Sequence, residues 1–95
     1  VFKDKIQYTN HALLKLKERN IEEIEVWQIL ENPEEILLDI ETGNIVIVGN
    51  RNKLPGHKLL IVISQDLQRV ITLIDTSKHD IIKQRKEKGR WIKIK

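Results

Sequence analysis

After Asn32-Pro33 the chain has no room for a long crossover. Its apolar runs over residues 35–40, 44–50, 58–64 and 69–75 are joined only by short polar segments. Parallel neighbours need a connection of about a dozen residues or more, so strands spaced this closely are restricted to antiparallel pairing. The separators are chemically explicit: residues 41–44 read Glu-Thr-Gly-Asn, Pro55-Gly56 sits in the polar loop over 51–56, and 65–68 form a further turn. Gly and Pro in such places punctuate strands, and the runs between them are rich in the β-branched residues that suit a pleated surface.

Upstream the period changes to a helical one. Thr9 and Asn10 suit the N-cap of a helix through HALLKLKER, with Ala12, Leu13 and Leu16 turned inward. Asn20 tolerates the left-handed conformation that ends a helix. A second helix over 21–31 opens on Glu22, Glu23 and Glu25, which favour the positive end of its dipole. Its apolar face is read as Ile24, Trp27, Ile29 and Leu30, and Asn32-Pro33 stops it. The tight break at Asn20 predicts a helical hairpin.

Residues 3–8 read as a short edge strand. Thr76 or Ser77 can cap a last helix over 78–88 that ends at Gly89, leaving RWIKIK as a tail or a final edge strand. The expectation is a single α+β domain over residues 1–95: an N-terminal helical hairpin packed on a four-stranded antiparallel β-meander, with a C-terminal helix. A lone helical pair and a lone sheet each leave apolar surface exposed, so the two N-terminal helices should cover one sheet face.

Ninety-five residues suit one domain. Without cysteine, neither a disulfide framework nor a thiolate metal site can form. No apolar run approaches the roughly 18 residues of a membrane span, and VFKDKIQYTN lacks the apolar stretch of a signal peptide. A cytoplasmic protein with no membrane contact is expected. Charge is polarised: residues 1–76 hold nine Lys/Arg against twelve Asp/Glu, whereas 77–95 hold eight against two. A basic helix or tail at 77–95 points to a polyanion, most often nucleic acid.

The stretch YTNHALLKLKERNIEEIEVWQILENPEEIL resembles the opening of a widespread uncharacterised prokaryotic domain family. That opening runs as an aromatic and polar cap, His-Ala, a basic helix, Arg-Gly-Ile, an acidic stretch with Val, then Leu-x-Asn-Pro-Glu. Here the pattern falls on His11-Ala12, Glu18-Arg19-Asn20-Ile21, Val26, Leu30 and Asn32-Pro33-Glu34. Gly56 and Lys58 before an apolar strand, and Val70-Ile71-Thr72, continue the likeness to about residue 76. Asn20 stands where the family carries Gly, Lys15 and Lys17 stand where Arg is frequent, and the long basic C-terminus is not a strong family feature. The family is similar to the RelE/ParE/BrnT-like toxins. The resemblance implies a RelE-like fold, metal-free cleavage of RNA, and an antitoxin protein as partner.

Metal-free RNA cleavage needs a base for the 2′-OH, cations for the phosphate and an acid for the leaving oxygen. His11 opens a helix with Lys15 and Arg19 following at helical spacing on the same side. Imidazole can act as base or acid near neutral pH, and Arg19 can hold a phosphate bidentately. Arg51, His57 and Lys58 bracket a loop and form a second basic cluster. Thr72 offers a mid-strand hydroxyl. The expected catalytic set is His11, Arg19, Arg51, His57 and Thr72. Nucleic-acid contacts are expected from Lys15, Lys58, Lys78, Lys83, Arg85, Lys86, Lys88 and Arg90, with Trp91 as a stacking aromatic.

His79-Asp80 lacks the distant His and Asp partners of a metal site, and no Gly-rich phosphate loop occurs. Neither a metal nor a cofactor is expected. The function expected is therefore an RNA-binding, metal-independent endoribonuclease of a toxin–antitoxin system. The alternative is a non-catalytic module of the same fold that binds nucleic acid or protein, in the latter case through the acidic second helix.

Overall fold

The computed structural model describes residues 6–77 and 80–95. Its elements are β1 (Gln7–Tyr8), α1 (Asn10–Glu18), α2 (Glu23–Glu31), β2 (Glu35–Asp39), β3 (Ile45–Asn50), β4 (Lys58–Ile63), β5 (Arg69–Thr76), α3 (Asp80–Glu87) and β6 (Trp91–Lys93). β2, β3, β4 and β5 pair consecutively and antiparallel. The strand order is β1-β5-β4-β3-β2-β6.

The expected fold class is corrected in two respects. The sheet is six-stranded and mixed, not a four-stranded antiparallel meander. β1 adds parallel to β5, with Gln7 opposite Arg69 and Tyr8 opposite Val70. The parallel pair is allowed because both N-terminal helices and β2, β3 and β4 separate its strands in sequence, far more chain than a crossover requires. β6 adds antiparallel to β2 at the other edge.

Nor does the N-terminus form a helical hairpin held by helix–helix contact. α1 lies along β5 and α2 along β3. Thr9 explains the placement of α1. Its hydroxyl accepts from the Ala12 amide at 3.0 Å as N-cap and donates to the Ile71 carbonyl at 2.7 Å, so one side chain both starts the helix and ties it to β5. α2 approaches β3 through Gly49, where an added Cβ would sit 2.6 Å from Ile29 Cγ1 and Cγ2.

Helices occupy both faces of the sheet. Ala12, Ile21, Val26, Ile29 and Leu30 pack with Ile47, Leu59, Ile61 and Val70 under α1 and α2. Leu37, Val46, Val48, Leu60 and Trp91 form a second core on the opposite face, joined by Ile82 of α3. β3 is buried at every position except Asn50, as a central strand covered on both sides must be. The inward faces read from the sequence need adjustment: Leu13 and Ile24 are half exposed, and the buried residues of α2 are Glu25, Val26, Ile29 and Leu30.

Candidate functional site

One position on the buried stripe of α2 is an acid. Glu25 stands four residues from Ile21 and from Ile29, both buried, and is itself only 7% exposed. A carboxylate in an apolar face requires a partner, and Arg51, immediately after β3, supplies it. Arg51 Nε donates to Glu25 Oε2 at 2.9 Å and Nη2 to Oε1 at 3.1 Å, a bidentate pair. Nη1 donates to Asp75 Oδ2 at 2.7 Å. Nη1 and Nη2 also reach the carbonyls of Arg19 and Asn20 at 3.4 and 3.3 Å. These are carbonyls at the end of α1, groups that a helix cannot satisfy internally. Asn20 adopts φ 53°, the left-handed conformation expected of it.

Asp75 carries the network outward. It lies opposite Leu59 on the sheet face that α1 and α2 cover. Its Oδ1 meets Nδ1 of His57 at 2.7 Å. Burial pushes the Asp75 carboxyl up, but hydrogen bonds from His57 and Arg51 and the Arg51 charge outweigh it. The group is held below the usual carboxylate range. The hydrogen bonds from Arg51 to Glu25 raise the guanidinium further above its ordinary value, despite burial. His57 is one third exposed, whereas Asp75 is 10% and Arg51 1% exposed at the side chain. The loop that carries His57 is closed at its base by the Arg51 amide on the His57 carbonyl, 3.0 Å.

The result is an imidazole at the surface, oriented from below by a partly buried carboxylate that a buried guanidinium fixes. An imidazole whose Nδ1–H is engaged by a carboxylate presents Nε2 as a proton acceptor. Such a pair can remove a proton from a hydroxyl and return it to a leaving group.

The residues expected to act together do not all meet. Arg51 and His57 are joined through Asp75. Arg51 is unavailable to a phosphate, because all five of its N–H donors are directed at protein acceptors. Arg19 contributes its carbonyl to the cluster, and its side chain is exposed. His11 is exposed in the first turn of α1, eight residues from Arg19, or about 12 Å along the helix axis. Thr72 is opposite Val62 and Lys58 opposite Thr76. Both lie on the sheet face away from Asp75, since side chains alternate along a strand. Lys58 is bound to Glu34, and Lys15 pairs with Glu18 at 3.3 Å.

The basic C-terminal end folds against acids of β2. Lys86 pairs with Glu35, Lys93 approaches Glu35 at 3.8 Å, and Arg90 binds Asp39 at 3.2 Å and Glu41 at 3.5 Å. Trp91 is corrected from a stacking aromatic to a core residue: it is 4% exposed, and its indole N–H points at Asp39 Oδ2, 3.3 Å away. Arg85 stacks on its ring at 5.4 Å. Lys83 and Lys88 remain exposed. Lys78, and the His79 half of the rejected His79-Asp80 metal motif, lie outside the described residues.

Glu25 was missed as a member of this site, although its place on the Ile21–Ile29 stripe was a usable signal. Asp75 stands at the end of β5 in a strand of apolar residues, and only the tertiary structure identifies its partners. Among the described residues, no helix is long and apolar enough to cross a membrane. No family model matches the chain, no curated protein matches it, and no solved structure matches it.

Proposed function

We propose that this domain acts on RNA as a metal-independent endoribonuclease of the toxin type, with His57 as its general acid/base and Asp75 as the residue that orients it. The observation that carries the reading is the 2.7 Å contact between His57 Nδ1 and Asp75 Oδ1, with Asp75 anchored by Arg51. Within this scheme His57 Nε2 takes the proton of a ribose 2′-OH, the 2′-oxygen attacks the adjacent phosphorus, and the P–O5′ bond breaks as the protonated imidazole returns the proton to the leaving 5′-oxygen. The products are a 2′,3′-cyclic phosphate and a free 5′-hydroxyl.

The exposed Arg19 side chain is suited to the phosphate, the role expected of it from the sequence, and Arg51, with its donors occupied, is not. Among the described residues no carboxylate orients His11, which becomes a surface contact. The resemblance of the N-terminal half to toxin-like domains supports the substrate class and implies an antitoxin partner. An RNA-directed role implies a cytoplasmic site of action.

The test is cleavage of a single-stranded RNA in EDTA, with end-group analysis of the fragments. Positioned acid/base groups contribute about 10²–10⁴-fold, so His57→Ala should lose activity on that scale. His11→Ala should retain most of it. Asp75→Asn should lower kcat more than it raises KM. No cleavage by the unaltered chain, or full activity in His57→Ala, would sink the assignment and leave a non-catalytic binding module.

A further inference from the structure

The C-terminal strand forms an open edge whose two faces differ in chemistry. Leu38 lies opposite Ile92, and the Ile94 amide donates to the Ile36 carbonyl at 2.9 Å. Backbone groups alternate in direction along an antiparallel pair. Those of Ile92 and Ile94 therefore turn toward β2, and those of Lys93 turn away from it, with no partner among the described residues. Side chains alternate too. Ile92 and Ile94 are 47% and 53% exposed on the face of α1 and α2. Lys93 lies on the other face, with its side chain 61% exposed.

Beside Ile94 lies an apolar trough of about 320 Å³, lined also by Leu30, Ile36, Ile45, Ile47 and Leu67. It lies on the sheet face beside the C-terminal end of α2, and Lys95 also lines it.

We propose that β6 is a docking edge for an extended segment of a partner protein in which apolar and acidic residues alternate, added to the sheet as a seventh strand. The free backbone groups of Lys93 supply the ladder, as in other strand-addition interfaces. The partner's apolar residues extend outward the apolar surface that runs from the trough through Ile94 and Ile92. Its acids meet Lys93 and Lys95. A second copy of this chain is a poor occupant, because antiparallel pairing of two β6 strands sets lysine against lysine, the device by which edge strands resist self-pairing. This surface is separate from the His57 site, and the proposal does not rest on RNA cleavage.

The experiment uses the whole chain and two short blocked peptides, one alternating Val and Glu and the other alternating Val and Lys. Amide hydrogen exchange is followed residue by residue. The Val/Glu peptide should slow exchange at Lys93 about tenfold when present at ten times its Kd, with smaller effects elsewhere. Lys93→Pro removes the outward N–H without touching a bond to β2, and should abolish the protection. Should that variant lose its fold, Lys93→Glu combined with Lys95→Glu decides the question by reversing the preference toward the Val/Lys peptide. Equal binding of both peptides, protection that spares Lys93, or self-association through Ile92 and Ile94 without peptide would each overturn the proposal.

Discussion

Two side chains make the residue scale measurable. Tyr8 is the only tyrosine in the sequence. Burial, with the charge of Glu23 added, pushes its phenol up to about 12. A free tyrosine ionises near 10, so the stability that the neutral phenol contributes is complete below about pH 10 and is lost as pH rises through about 12. Tyrosinate absorbance should therefore have its midpoint near 12 in the native protein and near 10 in urea; coincident midpoints would refute the burial. Asp75 behaves in the opposite sense. Its carboxyl is held below the ordinary range, so its contribution is complete above about pH 4 and is lost as pH falls through its lowered native value. Asp39, hydrogen-bonded to Arg90 and Trp91, is lowered likewise. Urea midpoints between pH 7 and pH 2 should fall with acidification, and Asp75→Asn should flatten that dependence. A midpoint equally pH-dependent in the variant would exclude Asp75 as a source.

At the scale of elements, α2 packs tightly on β3 at Gly49. Gly49→Ala would place a methyl group against both γ-carbons of Ile29, a β-branched side chain with little rotameric freedom in a helix. Overpacking of this kind costs about 1–3 kcal/mol. The chemical-denaturation midpoint of the variant should drop accordingly, and Ile29→Ala in the same chain should recover part of the loss.

The same elements show what the sequence could reveal. Gly43, Pro55-Gly56 and the short turns made the four central strands readable. The two edges were legible as strands, residues 3–8 as a short edge strand and RWIKIK as a tail or a final one, but the strands they pair with were not. Gln7 and Tyr8 lie parallel to β5 because Thr9 fastens them there. RWIKIK joins the sheet because β2 offers a partner and Asp39 receives Trp91. The helical hairpin failed as an expectation because adjacency in sequence was taken for contact, whereas each helix had a better apolar surface below it on the sheet. The His57–Asp75 pair was half legible: His57 stood out as a loop histidine, but its partner comes from a strand eighteen residues on. Arg51 was found and given the wrong task, since nothing in the sequence announces that a guanidinium will be buried.

On the scale of the whole molecule, the charge polarity of the sequence is largely cancelled in space. Lys86, Arg90 and Lys93 face Glu35, Asp39 and Glu41, and Arg85 rests on Trp91. Lys83, Lys88 and Lys95 are left exposed toward a polyanion. With three such contacts, log Kd for single-stranded RNA should change with log salt by about 2 to 3 units. Lys83→Gln with Lys88→Gln should remove about 1.5 of these. An unchanged slope in a salt titration of the double variant would place RNA elsewhere on the surface. Arg51 has a consequence of another kind. Its guanidinium gathers the end of α1, the start of α2, the exit of β3 and the last part of β5, so its set of bonds is complete only when all four are home. Removing it leaves the buried Glu25 carboxylate without its partner, at about 3–5 kcal/mol. In native-state hydrogen exchange, the amides of α1 and α2 should then open as a separate unit in Arg51→Met, while in the unaltered chain they exchange only with the sheet. One buried cation would thus make a helical layer and a β-layer melt as a single cooperative body.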